Sequence, residues 1–308
     1  MKHHTHIYIA KKAIEMLIDS RENLKYKSGR SASSERKEEW LHAAKDLRRI
    51  MNSHMDSITE ASWAPDDILN DRSTFHTFKL YTEEEFTDFE AFAKETHEKD
   101  GEKFYRAKGG GGLPYKVDHL ARMINDMFKL RKFNDSFNMR NIMYQMFLIS
   151  HYIVDAHVPM HCDIRDDKPK GAKPYKDKPS DGEYYKKKHH GDIETIWEKA
   201  VLPVGVGEKI LVPEKGKEAG KSAKYSEAVK YNFKKDAGEL VTTRLEFGDI
   251  MDYMIDLCIE SKKRSLRLFP VDHNDKPVMD DFGEFTREIF SHAIGNVASI
   301  WMCIWAKN

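Results

Sequence analysis

The chain is poor in cysteine. Cys162, Cys258 and Cys303 are too few and too widely spaced for a disulfide framework, a CxxC redox pair or a thiolate zinc finger, and are expected as three buried thiols. Net charge is absent as well. The 51 Lys+Arg cancel the 51 Asp+Glu, so no long-range basic field gathers nucleic acid or anionic membrane, and such a partner must be held locally. No uninterrupted run approaches the roughly 20 apolar residues of a membrane-spanning helix. The opening Met1-Lys2-His3-His4-Thr5-His6 leads into an amphipathic segment without a signal-peptide apolar core. As written, the sequence implies a cytoplasmic protein, or a secreted one if this is a processed mature chain. Internal repeats and a Ser/His/Asp nucleophile motif are missing. Gly109 to Gly112 has neither the Lys-Ser/Thr nor the preceding strand of a phosphate-binding loop and reads as a flexible linker.

What remains is a globular composition: 308 residues, 40% hydrophobic and 33% charged, with a mean hydropathy of -0.69. Helical periodicity runs through Ile7 to Ile18, Ser34 to Arg49, Glu83 to Lys99, Lys116 to Lys132, Asn138 to His157, Tyr253 to Leu268 and Phe285 to Ile304. The Asn138 to His157 stretch is apolar on more than one stripe and is expected to be the central buried helix, ended by Pro159. Strand alternation is confined to a few residues near Ile210-Leu211-Val212. Residues 162–189, rich in Pro, Gly, Lys and Asp, read as an excursion loop, and Val201 to Lys221 as a second. The expectation is an all-α, single multi-helix domain over residues 1–308 with long irregular loops, acting as a monomer.

Histidine is the informative excess, with 15 residues, because imidazole is the commonest metal ligand where thiolates are scarce. His151 and Asp155 stand i, i+4, on one helical face a turn apart, with His161 just past the Pro159 break. His190 and Glu194 repeat the pairing. Ser62-Trp63-Ala64-Pro65-Asp66-Asp67 precedes His76, so Asp66 or Asp67 either joins His76 at a site or caps a helix. His6 lies five residues from the α-amine of Met1. A set of five imidazoles and three carboxylates without thiolate suits zinc or a comparable divalent ion, and exceeds what one tetrahedral centre uses. Two or three metals are implied.

These residues resemble the zinc-dependent phospholipase C and single-strand-specific nuclease superfamily, of the nuclease P-one type. The similarity runs in order from Thr5 to Leu17, through Ser73-Thr74-Phe75-His76 and the His151-x3-Asp155-x3-Pro159-x-His161 block, to His190-x3-Glu194 and a final helix with Ala298 and Trp301. The resemblance implies an all-helical phosphodiesterase holding zinc. One ion would take Asp66, His76, His151 and Asp155, a second His161, His190 and Glu194, and a third His6 with the amine and carbonyl of Met1, Asp155 bridging. Met1 stands where the family has tryptophan. By the same resemblance, a metal-bridging hydroxide attacks phosphorus in line, and Asp66 orients or deprotonates it as the catalytic carboxylate.

Glu194, and Phe75 as a substrate-binding ring, are similar to the phospholipase branch, whereas Trp63-Ala64 resembles the nuclease branch. A phospholipase C-like hydrolase is therefore expected, with a single-strand-specific nuclease as the alternative and a catalytically silent zinc-stabilised helical protein as the second alternative. Its partner is a phosphodiester, phospholipid or single-stranded nucleic acid. His157 faces away from the His151/Asp155 stripe, and His189 has Ile193 rather than a carboxylate at i+4. His3 and His4 are candidate adventitious ligands near the N-terminus. His42, His54, His97, His119, His273 and His292 lack ligand-spaced partners in the sequence and are expected as surface or core histidines.

Overall fold

In the computed structural model, residues 1–17, 25–26, 34–85, 93–133, 138–166, 187–201, 212–213, 225–226, 243–270 and 277–308 are described. They are mostly helical. The helices are α1 (His3–Met16), α2 (Ser34–Ser53), the one-turn α3 (Ile58–Ala61) and α4 (Ala64–Asp67), α5 (Leu113–Arg131), α6 (Met139–Asp155), α7 (Lys187–Ala200), α8 (Ile250–Leu268) and α9 (Phe282–Ala306). Most of the excursion loop and of the second loop lies outside the described residues. The loop's first residues form 3-10 turns at Pro159–Cys162 and Ile164–Asp166, and its last belong to α7.

Helix α6 is the hub. The Asn138 side chain accepts from the Asn141 amide at 3.0 Å, capping its N-terminus, and every residue from Met146 to Asp155 is buried. A helix apolar all round has neighbours on every side, and α6 packs against α1, α3, α5 and α9. The indole of Trp301 on α9 donates to the Met146 carbonyl, and its ring meets Phe147 edge-on at 5.9 Å. By length and composition α9 could cross a membrane, with a mean hydropathy of 1.4 over its best window. It holds no uninterrupted apolar run of that length, being broken by Glu284, Arg287, Glu288, His292 and Asn296. Here 72% of that window is buried inside the protein, and its apolar side chains form core.

Two further expectations fail for reasons of turn chemistry. The segment expected as helix from Glu83 to Lys99 ends in a strand, β3 (Ala93–Lys99), paired antiparallel with β4 (Glu102–Ala107). Asp100 and Gly101 connect them with positive φ at both positions, 55° and 79°. Such a two-residue turn matches strand twist, and Asp-Gly is its strongest sequence signal. The short strand β2 (Leu80–Tyr81), which follows the two-residue β1 (Lys25–Tyr26) in the chain, completes a three-stranded sheet of order β2-β4-β3. Gly109 to Gly112 is not a free linker either. Gly111 has φ 97°, and a Cβ there would fall 2.1 Å from the Thr77 carbonyl oxygen, so glycine alone permits this approach. The Lys79 amide donates to Gly110 at 2.6 Å and the Gly112 amide to Thr74 at 2.7 Å. The glycines thus hold residues 74–79, which carry His76, in place.

The His76 segment also runs beside the segment after α6. The Phe78 amide donates to the His161 carbonyl at 3.1 Å, and Leu80 bridges Asp163 in parallel. Next to this junction lies a buried ionic cluster. Lys262 contacts Glu85 at 2.6 Å and Asp163 at 2.9 Å, and Arg165 contacts the same carboxylates at 3.0 and 2.6 Å. All four side chains are essentially inaccessible. Burial opposes the Asp163 charge, but Arg165 and Lys262 overcome it and hold its carboxyl well below the usual range. Cys162, Cys258 and Cys303 are free and buried, as expected.

Candidate metal centre

The fold brings all eight candidate side chains and the Met1 amine together. Helix α6 contributes His151 and Asp155 from successive turns, and the 3-10 turn beyond Pro159 swings His161 back toward Asp155. The one-turn helix α4, with Pro65 in its first turn, directs Asp66 to the same place, and α1 and α7 deliver His6, His190 and Glu194. Three groups result whose ligand atoms lie within 4.8 Å of one another: Asp66, His76 and His151; His6, His151 and Asp155; His161, His190 and Glu194.

Asp155 is the centre of the arrangement. Its Oδ2 lies 2.8 Å from His76 Nδ1 and 3.2 Å from His151 Nε2, while Oδ1 lies 3.3 Å from the Met1 amine, 3.6 Å from His6 Nε2 and 3.5 Å from His161 Nδ1. One carboxylate thus faces two nitrogen sets from opposite oxygens. Asp66 Oδ1 completes the first set, 3.6 Å from His76 Nδ1 and 3.5 Å from His151 Nε2. Of the neighbouring aspartates it is Asp66, rather than Asp67, that meets the imidazoles. The Met1 carbonyl stands 3.1 Å from His6 Nε2, and the Met1 amine 2.9 Å from Glu194 Oε1. In the remaining group, Glu194 Oε1 lies 3.1 Å from His190 Nε2 and 3.7 Å from His161 Nε2.

Tautomers are fixed from outside at two of these rings. The Ser62 carbonyl can only accept, so His151 Nδ1 donates to it across 3.0 Å and presents Nε2 to the cluster. The Asp166 carboxylate does the same for His190, accepting from Nδ1 at 3.1 Å. Neither Asp166 nor its partner Lys79 is singled out by ligand spacing in the sequence, since 24 positions separate Asp166 from His190 and 87 separate it from Lys79.

The protonation pattern without metal is split. Burial opposes charge on His151, yet Asp155 and Asp66 outweigh it and raise the ring to about 9. Burial likewise opposes His190, and Asp166 and Glu194 raise it to about 9. Burial and the neighbouring His151 push His6 well down, and burial takes His161 to about 3. Against their own burial, Asp155 and Glu194 are held well below the carboxylate range by the imidazoles and the Met1 amine. That amine is itself raised to about 10, burial opposing and Glu194 and Asp155 prevailing. Burial also opposes Asp166, which His190 and Lys79 lower to about 2.

The residues fit divalent metal. His161 Nδ1, 3.5 Å from Asp155 Oδ1, is buried without a hydrogen-bond partner, and the His76 Nδ1 and His151 Nε2 atoms face each other at 3.1 Å. The donor set is nitrogen and oxygen without thiolate. Buried His/Asp groups of this kind could bind metal. Among the described residues Asp66 lies at the exposed edge of the cluster, its side chain 45% exposed against 2% for Asp155.

The other candidates lie around this cluster. Phe75 packs against the core with the Lys116 ammonium 4.6 Å above its ring, and Lys116 also pairs with Asp71 at 3.2 Å. The His157 ring points away, between the Ile153 carbonyl and Asn296, and burial lowers it to about 3. His3 sits against Trp63 with ring centroids 4.2 Å apart, and His4 pairs with Glu198. No family model and no curated protein matches this chain.

Proposed function

We propose that the protein is a zinc-dependent phosphodiester hydrolase of the phospholipase C/nuclease P-one type. The observation that carries the reading is the single buried carboxylate of Asp155 facing two nitrogen sets from its two oxygens, beside a third His/Glu group. In this reading Asp66, His76, His151 and Asp155 would hold one ion, His161, His190 and Glu194 a second, and His6 with the Met1 amine and carbonyl a third. Bound zinc supplies a nucleophile at neutral pH and offsets charge on phosphoryl oxygens. The chain's own residues supply placement. Asp66, at the exposed edge and within 3.6 Å of two imidazoles, is placed to orient an attacking water and accept its proton. Buried α6 keeps the opposite side of the site dry and fixed.

For the substrate, Glu194 favours the phospholipase C branch by resemblance. A second reading, a single-strand nuclease, draws on two observations. The Phe75 face carries the Lys116 ammonium, which competes with a quaternary ammonium headgroup, and Trp63 and His3 offer aromatic rings beside α4. The test is a metal count by elemental analysis, with hydrolysis of bis(p-nitrophenyl) phosphate before and after chelation. Two or three zincs per chain and chelator-sensitive turnover support the hydrolase. Bound zinc without turnover supports instead a silent zinc-stabilised protein. Phosphatidylcholine vesicles and single-stranded DNA, assayed in parallel, then separate the branches.

A further inference from the structure

We infer that Lys79 and Asp166 are positioning residues for the His161/His190/Glu194 metal group: Asp166 sets the His190 tautomer, and Lys79 fixes both Asp166 and the turn that carries His161. The inference rests on the metal reading above and adds to it residues that are not ligands. Asp166 lies 3.1 and 3.2 Å from His190 Nδ1 through its two oxygens. Asp166 and Glu194 are both carboxylates and only accept, so without metal the ring carries a hydrogen on each nitrogen. A metal displacing the proton from Nε2, the atom facing Glu194 at 3.1 Å, would find the lone pair there because Nδ1 stays donated to Asp166. Lys79 Nζ reaches Asp166 Oδ2 at 3.0 Å and donates to the Met160 carbonyl at 2.7 Å, one residue before His161.

The lysine is almost fully buried, at 5% exposure, a costly position that two fixed acceptors explain. It sits three residues after His76, on the segment that Gly110 and Gly111 clamp, so one side chain links the two ends of the centre. His151 has its Nδ1 fixed by the Ser62 backbone, which no substitution removes. His190 depends on a side chain, and that makes its group separable by mutation.

The experiment titrates Zn²⁺ and Co²⁺ into metal-free full-length protein against a competing chelator, for wild type, Asp166→Asn, Lys79→Met and His190→Ala. The expected result is one metal equivalent bound about 10- to 100-fold more weakly in Asp166→Asn, the others unchanged, with an altered visible Co²⁺ spectrum for that equivalent. Lys79→Met is expected to weaken the same equivalent by a smaller factor. His190→Ala tests the underlying reading: a full metal count in that variant overturns the metal assignment itself. Loss of one equivalent in His190→Ala with wild-type affinity and spectrum in both Asp166→Asn and Lys79→Met overturns only the positioning role. Thermal melts in excess chelator identify any variant whose fold, rather than its site, has failed, and Lys79→Met then decides if Asp166→Asn is lost this way.

Discussion

Two buried polar clusters lie on either side of the short stretch from His161 to Arg165, and they are built oppositely. In one, Glu85 and Asp163 meet Lys262 and Arg165, two anions against two cations, each hydrogen-bonded within the protein. In the other, Asp66, Asp155 and Glu194 meet five imidazoles and an amine, with His161 Nδ1 left without a hydrogen bond. The first is neutralised by its own chain and needs nothing further. The second is balanced without metal by protons on the Met1 amine, His151 and His190, and giving up those protons would leave lone pairs converging where a divalent cation could take their place.

Substitutions that sharpen this contrast can be ranked by expected effect. Asp155→Ala removes the carboxylate shared by two nitrogen sets; under the proposed hydrolase reading, turnover of bis(p-nitrophenyl) phosphate is expected to fall by about a thousandfold or more, with loss of at least one metal equivalent. Undiminished turnover at full metal content would falsify the bridging role. Lys262→Met strands two buried carboxylates beside one arginine. It is expected to cost about 3 to 5 kcal/mol in chemical denaturation while leaving metal stoichiometry unchanged. A metal loss in that variant without destabilisation would erase the distinction between the clusters.

The third effect is one of pH. In metal-free protein, His151 and His190 are raised from 6.5 to about 9, so the stability they contribute is fully present below pH 6.5 and lost as pH rises through about 9. His6 and His161 are lowered, so their contribution is present above pH 6.5 and fades as pH falls toward their folded values. Melting temperature after chelation is therefore expected to decline from pH 7 to pH 9, while the zinc-loaded protein stays nearly level because metal holds the rings deprotonated. Parallel pH curves for the two forms would contradict this. The smallest effect is expected at Gly101→Ala, which places a Cβ at φ 79° in open space and should destabilise by about 1 kcal/mol without touching metal content.

Legibility in the sequence followed the range of the interaction. The major helices were readable because periodicity and caps act within a few residues: Asn138 caps α6 three residues away, and Pro159 stops it. The β3–β4 hairpin was missed although Asp100-Gly101 marked it, because a charged strand such as Ala93–Lys99 has little apolar alternation to read. Gly109 to Gly112 looked like a linker because the surface it fits, Thr77 and Lys79, lies about thirty residues earlier in the chain.

At the centre, the sequence by itself determined the ligand types and their pairing: i, i+4 spacing on α6 and α7 places His151 with Asp155 and His190 with Glu194 whatever the rest of the chain does. Only tertiary structure decided what those pairs meet. The selection of Asp66 over Asp67, the approach of the Met1 amine to Asp155, and the Lys79–Asp166 brace behind His190 depend on α1, α4 and the glycine-held segment docking around α6. Local spacing fixes a direction along one helix, whereas a site built from five segments exists only once apolar burial has fixed their relative positions.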